Sequence, residues 1–117
     1  MGTRDTVQAY FAALKARQGW DAFLAEDLVF TSLTSPPKRV SGKAAYLEAT
    51  KRFYSSIASV EVKGFIVEGE RACVLTHYEL RPPQGPPITS DVAEIFTVRG
   101  GKLGTLDIYF DSAPFPK

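Results

Sequence analysis

Apolar and polar side chains alternate along residues 88–98, with Ile88, Ser90, Val92, Glu94, Phe96 and Val98 on one side and Thr89, Asp91, Ala93, Ile95 and Thr97 on the other. Successive residues of a strand point to opposite faces, so the pattern predicts a strand whose largely apolar row carries one carboxylate, Glu94. Further strands are expected at Val60 to Val67, Ala72 to Leu80 and Leu103 to Phe110, joined at Glu68-Gly69-Glu70, at a proline-rich segment and at Gly100-Gly101. In the last of these, Leu106, Ile108 and Phe110 are expected inside, with Thr105, Asp107 and Tyr109 outside. The strand before Glu94 does not resolve itself. Its two alternating sets, Cys73, Leu75, His77, Glu79 and Ala72, Val74, Thr76, Tyr78, Leu80, both mix apolar with polar residues.

Ahead of the strands the period lengthens. Asp5-Thr6-Val7-Gln8 resembles a capped helix start, after which Val7, Tyr10, Phe11 and Leu14 recur at helical spacing until Gly19. Trp20, Phe23 and Leu24 repeat that spacing briefly, and Leu28 to Leu33 has the β-branched and aromatic content of a first strand. Ser41 is expected to cap a second helix ending near Ser59, with Tyr46, Thr50, Phe53, Tyr54 and Ile57 along one side. The eight prolines fall at Pro36 and Pro37, between Pro82 and Pro87, and at Pro114 and Pro116, marking a loop, a hairpin connection and a tail. Helices gathered before strands predict an α+β domain over residues 1–117, a curved antiparallel sheet wrapped around the helices as a cone with an interior.

Composition narrows the function classes. A chain of 117 residues and 12.8 kDa suits one domain. Fourteen basic and thirteen acidic residues are interspersed, which leaves no basic stripe for nucleic acid. No apolar run approaches the roughly 18 residues of a membrane span. One cysteine excludes an intrachain disulfide, and one histidine with scattered carboxylates offers no metal-ligand spacing. Glycines sit singly at turns and no serine lies in a nucleophile elbow, so no cofactor is expected. No secretory pattern opens the sequence, which makes a cytoplasmic location the expectation.

The candidate chemistry centres on Glu94. A carboxylate in an apolar row has either a dedicated partner or a function. His77, the single histidine, would form an acid/base pair with it if it shared its face. Plainer readings stand beside these: Glu94 in a salt bridge or pointing outward, His77 as a structural histidine, and Tyr10 as a core aromatic with its hydroxyl at a rim.

The helix Val7-Gln8-Ala9-Tyr10-Phe11-Ala12-Ala13-Leu14, the segment Phe23-Leu24-Ala25-Glu26-Asp27-Leu28-Val29-Phe30, the start Ser41-Gly42-Lys43-Ala44-Ala45 and the closing pair Glu94 to Val98 with Gly101 to Leu106 together resemble the nuclear transport factor two-like superfamily, in its SnoaL-like and ketosteroid isomerase-like branch. The resemblance implies a cystatin-like α+β roll. It also implies a role for Tyr10 as donor to an oxyanion and for Glu94 as a carboxylic acid kept neutral by its apolar site, or as a general acid/base beside His77. The isomerase base, an aspartate at the end of the first strand, is replaced by Thr31-Ser32-Leu33, and no arginine between two inward carboxylates matches the epoxide hydrolase branch.

The resulting expectation is proton transfer on a small apolar carbonyl compound by Glu94, His77 and Tyr10, within walls formed by Trp20, Phe53, Leu75, Phe96, Leu106 and Phe110. The competing expectation is a noncatalytic ligand-binding or dimerisation domain. Outward-facing Ala93, Ile95, Thr97, Tyr78 and Tyr109 suggest a homodimer through the sheet.

Overall fold

A computed structural model describes residues 2–34 and 36–115, and Pro116 of the tail lies outside them. Helix α1 (Thr3–Ala16) starts at Gly2, ahead of the predicted Asp5 start, and Asp5 instead occupies the first turn, where a negative charge meets the positive end of the helix dipole. Val7, Tyr10, Phe11 and Leu14 are buried along one side. A short 3-10 turn (Trp20–Phe23) follows. Strand β1 (Leu24–Ser32) leads to β2 (Lys38–Ser41), then helix α2 (Lys43–Ser56) and strands β3 (Ile57–Glu68), β4 (Arg71–Leu80), β5 (Ile88–Arg99) and β6 (Lys102–Phe110).

Both ends of α2 depart from the expected pattern: it stops at Ser56, so Ile57, expected on its buried side, opens β3. Ser41 ends the short strand β2 and does not cap α2; Gly42 takes that position at φ 94°, a conformation open to glycine. Strand β2 itself, Lys38-Arg39-Val40-Ser41, is a four-residue edge with mostly exposed side chains, so it carries no hydrophobic period to read. It pairs with β1 through Phe30↔Val40.

The sheet runs β2-β1-β6-β5-β4-β3, and it is antiparallel except where β1 pairs parallel with β6. That single parallel neighbour arises because the crossover from β1 to β6 passes through α2 and the whole β3–β5 meander. The result is an α+β architecture: a curved, open six-stranded sheet with both helices packed against it. The core gathers Val7, Tyr10 and Phe11 of α1 against Val74, Phe96, Leu103 and Leu106 of the sheet. Among the described residues, no helix is long and apolar enough to cross a membrane.

Candidate functional site

The β4–β5 register decides which half of β4 faces inward. Val74 lies opposite Glu94, Thr76 opposite Val92 and Tyr78 opposite Ser90, and residues directly opposite in an antiparallel pair share a face. Ala72, Val74, Thr76, Tyr78 and Leu80 are therefore buried with the even-numbered row of β5. The other set turns outward. His77 pairs across the sheet with Asp91, Nδ1 to Oδ1 2.7 Å, and does not stand beside Glu94. Leu75 is 45% exposed on the same outer face and is not a cavity wall. Tyr78, expected outside, is only 2% exposed. A one-residue alternation leaves no intermediate outcome: placing Tyr78 inside removes His77 from the interior.

Inside the cone lies a cavity of about 720 Å³. Phe53, Leu106 and Phe110 line it, together with Phe30, Tyr46, Tyr54, Tyr78 and Phe115. Phe96 is fully buried behind this wall, edge-on to Tyr10 and Phe11 at ring separations of 5.8 and 5.9 Å. Trp20 sits on the far side of Tyr54, stacked on it at 3.9 Å, and faces a different cleft.

Glu94 is 4% exposed and lines the cavity. Both hydrogen bonds to its carboxyl fall on Oε2, one from the Tyr78 hydroxyl at 2.7 Å and one from Thr76 Oγ1 at 2.8 Å. Thr76 Oγ1 also lies 3.2 Å from the Val92 carbonyl oxygen, which fixes its position. Oε1 accepts no hydrogen bond from the described residues, yet it is not among the sealed-off unpartnered atoms, so it is the oxygen open to the cavity. No lysine or arginine pairs with Glu94 among the described residues, which removes the salt-bridge reading. Burial pushes its pKa from an ordinary 4.5 up to about 7, and the hydrogen bonds from Tyr78 and Thr76 only partly oppose that rise.

Three phenols form the other polar feature. Tyr10 Oη lies 2.9 Å from Tyr54 Oη, which also bonds Tyr46 Oη. Burial raises the pKa of each well above the usual tyrosine value, so all remain neutral, with one hydroxyl proton apiece. Donor counting fixes one end of the chain. If Tyr46 donated toward Tyr10, the Tyr10 proton would end in a sealed apolar core, and burying an unpaired donor is costly. With Tyr10 donating to Tyr54, the proton left for the cavity sits on Tyr46 or Tyr54, both of which line it. Tyr10, the expected oxyanion donor, is thus held behind the wall, and the members of the chain at the cavity are Tyr46 and Tyr54.

Helical spacing places Tyr46 and Tyr54 on the core side of α2, and the eight-residue interval between them is the signal that their hydroxyls share that side. Ser32 stands two strands from Glu94 in the same cross-strand row, through Ile108, roughly 10 Å away. That is the end of β1, where the resemblance anticipated an aspartate. Among the described residues, Glu94 is consequently the one lining group that titrates near neutrality. The described residues hold no cluster of metal-ligating side chains.

The family model for the SnoaL-like domain matches residues 7–104. No curated protein matches the chain significantly. Among solved structures, an LEH-like epoxide hydrolase from M. tuberculosis aligns with TM-score 0.76 at 20% identity, covering 96% of this chain and 84% of the other. An NTF2-like protein from Cytophaga hutchinsonii gives TM-score 0.76 at 20% identity over 97% and 94%. A protein of ketosteroid isomerase-like fold from Catenulispora acidiphila, solved in complex with trimethylamine, gives TM-score 0.74 at 16% identity over 93% and 87%.

Proposed function

The chain belongs to the SnoaL-like domain family, and from that premise we propose that its cavity binds a small apolar carbonyl compound and moves a proton on it through Oε1 of Glu94. The observation that carries this reading is the unpaired carboxyl itself, buried without a cation and presenting one unbonded oxygen to an aromatic cavity. With a pKa near 7, Glu94 is populated in both protonation states at neutral pH. In the ionised state Oε1 takes a proton from the carbon next to the carbonyl. The electron pair moves onto the carbonyl oxygen, where the Tyr46 hydroxyl donates to the developing charge. Because Glu94 is the one carboxyl lining the cavity among the described residues and the phenols there hold their protons, the same Oε1 returns the proton, to the original carbon or to a conjugated one. His77 plays no part in this scheme, and Ser32 cannot stand in for a second base.

Exchange of α-hydrogens for deuterium in a panel of small cyclic ketones, followed by NMR in D2O, tests the proposal without requiring the natural substrate. The wild type should accelerate exchange for at least one ketone, and Glu94→Gln should abolish that acceleration while retaining binding. Ketone binding by the wild type with no exchange above buffer would overturn the catalytic reading.

That outcome would favour the alternative, a noncatalytic small-ligand-binding domain. Here too a specific observation gives direction. A lone carboxylate among Phe30, Tyr46, Phe53 and Tyr78 suits an organic ammonium ion, and the Catenulispora neighbour was solved with trimethylamine.

The outer face of the sheet supports the homodimer expectation in altered form, without Tyr78. Two cross-strand rows, Ile66-Cys73-Ile95 over β3 to β5, ending at Asp107 on β6, and Gly64-Leu75-Ala93-Tyr109 over β3 to β6, make a largely apolar band. Ile66, Leu75 and Tyr109 are 65%, 45% and 53% exposed. We infer that a second copy covers this band.

A further inference from the structure

Across the ring of Tyr54 from the Glu94 cavity lies a second cleft of about 630 Å³, between the end of α1, the 3-10 turn and one side of α2. Leu14, Leu47 and Ile57 supply its apolar surface, and Trp20, stacked on Tyr54, closes one wall. Arg17 and Lys51 bring two positive charges to its lining, against one negative charge from Glu48. Neither cation joins an ion pair among the described residues.

Arg17 has an unusual conformation. It is the one described non-glycine residue at positive φ, 58°, at the point where α1 ends and where glycine would sit without steric strain. One guanidinium N–H donates to the Ala58 carbonyl oxygen at 3.0 Å, leaving further donors of its five available at the cleft. The carbonyl end of α1 attracts cations, and Lys15 in its last turn answers it together with Arg17. Lys51 lies more than a turn before the end of α2 and has no such carbonyl to neutralise. An apolar trough with surplus positive charge matches an anion that carries an apolar body.

We propose that this cleft is a second binding site, for an amphiphilic anion whose hydrocarbon lies on Leu14, Leu47 and Ile57 and whose carboxylate or sulfonate is met by Arg17 and Lys51. The site does not depend on the proton chemistry at Glu94. Trp20 is the single tryptophan of the chain and forms part of the wall, so its fluorescence reports occupancy directly.

The test titrates the full chain with decanoate, decanol and decyltrimethylammonium, each below its micelle concentration. Decanoate should give a saturable change in Trp20 emission with an affinity at least tenfold above the other two. The double variant Arg17→Gly with Lys51→Gln should weaken decanoate at least tenfold. Glycine is the residue best suited to the left-handed turn, so this variant keeps the fold, which circular dichroism and thermal melting would verify. Equal binding of decanol and decanoate, unchanged decanoate affinity in the double variant, or no saturable response would each overturn the proposal.

Discussion

Replacing Glu94 with glutamine isolates the cost of holding an unpaired carboxyl in the core, because the amide carbonyl can still accept from Tyr78 and Thr76 while its NH2 takes the place of Oε1. Burial raises the pKa of Glu94 from 4.5 to about 7. Between those values the folded chain retains a proton that the unfolded chain has released, so raising the pH favours unfolding. The group's full contribution is present below pH 4.5 and is lost as the pH rises through 7. At about 1.4 kcal/mol per unit, the complete loss is roughly 3 kcal/mol, of which about 2.5 kcal/mol falls between pH 5 and pH 8. Urea denaturation at pH 5, 6, 7 and 8 on the wild type and on Glu94→Gln measures it. The wild type should lose about 2.5 kcal/mol more than the variant across that range, equivalent to roughly 10 °C in melting temperature for a domain of this size. All other side chains are the same in the two proteins and cancel in the comparison. Parallel stability curves for the two proteins would refute the claim that Glu94 is desolvated and uncompensated.

Three shorter predictions follow from the same geometry. Tyr46→Phe should weaken binding of a cyclic ketone by roughly tenfold, about the value of one donor to a developing or partial charge, whereas Tyr10→Phe should change it less than threefold, since Tyr46 lines the cavity and Tyr10 does not; calorimetric titration separates the two, and the reverse ranking would return the donor role to Tyr10. Binding of a ketone should raise the pKa of Glu94 by stabilising the neutral acid as donor, and binding of trimethylammonium should lower it by pairing with the carboxylate; proton uptake or release measured in two buffers of different ionisation enthalpy gives the sign for each. Leu75→Asp, on the exposed outer band, should convert a dimer into a 12.8 kDa monomer by light scattering without unfolding it, while a wild type already monomeric at micromolar concentration would remove the dimer proposal.

The limits of reading this chain from its sequence follow from how strictly each element is patterned. Strand β5 is one-sided, so period two alone placed Ser90, Val92, Glu94, Phe96 and Val98 on the buried face. Strand β4 has Cys73 and Leu75 in one set and Thr76 in the other, so hydropathy was nearly balanced and the hairpin register, set across the connection 81–87, decided the outcome. That one decision moved His77 out, brought Tyr78 in, and turned a supposed carboxylate–imidazole pair into a carboxyl held by two hydroxyls. Strand β2 carried no signal because an edge of four mostly exposed residues buries little. The phenol chain was hidden for a different reason: Tyr10, Tyr46 and Tyr54 lie on two helices, and helical spacing states which side is buried but not how deep along the cone each hydroxyl reaches. Depth is what separates the roles here. Tyr10 and Phe96 reach the closed end and pack against each other, whereas Tyr46 and Glu94 reach the cavity, so the groups able to meet a ligand are those whose burial is completed by empty space in place of protein.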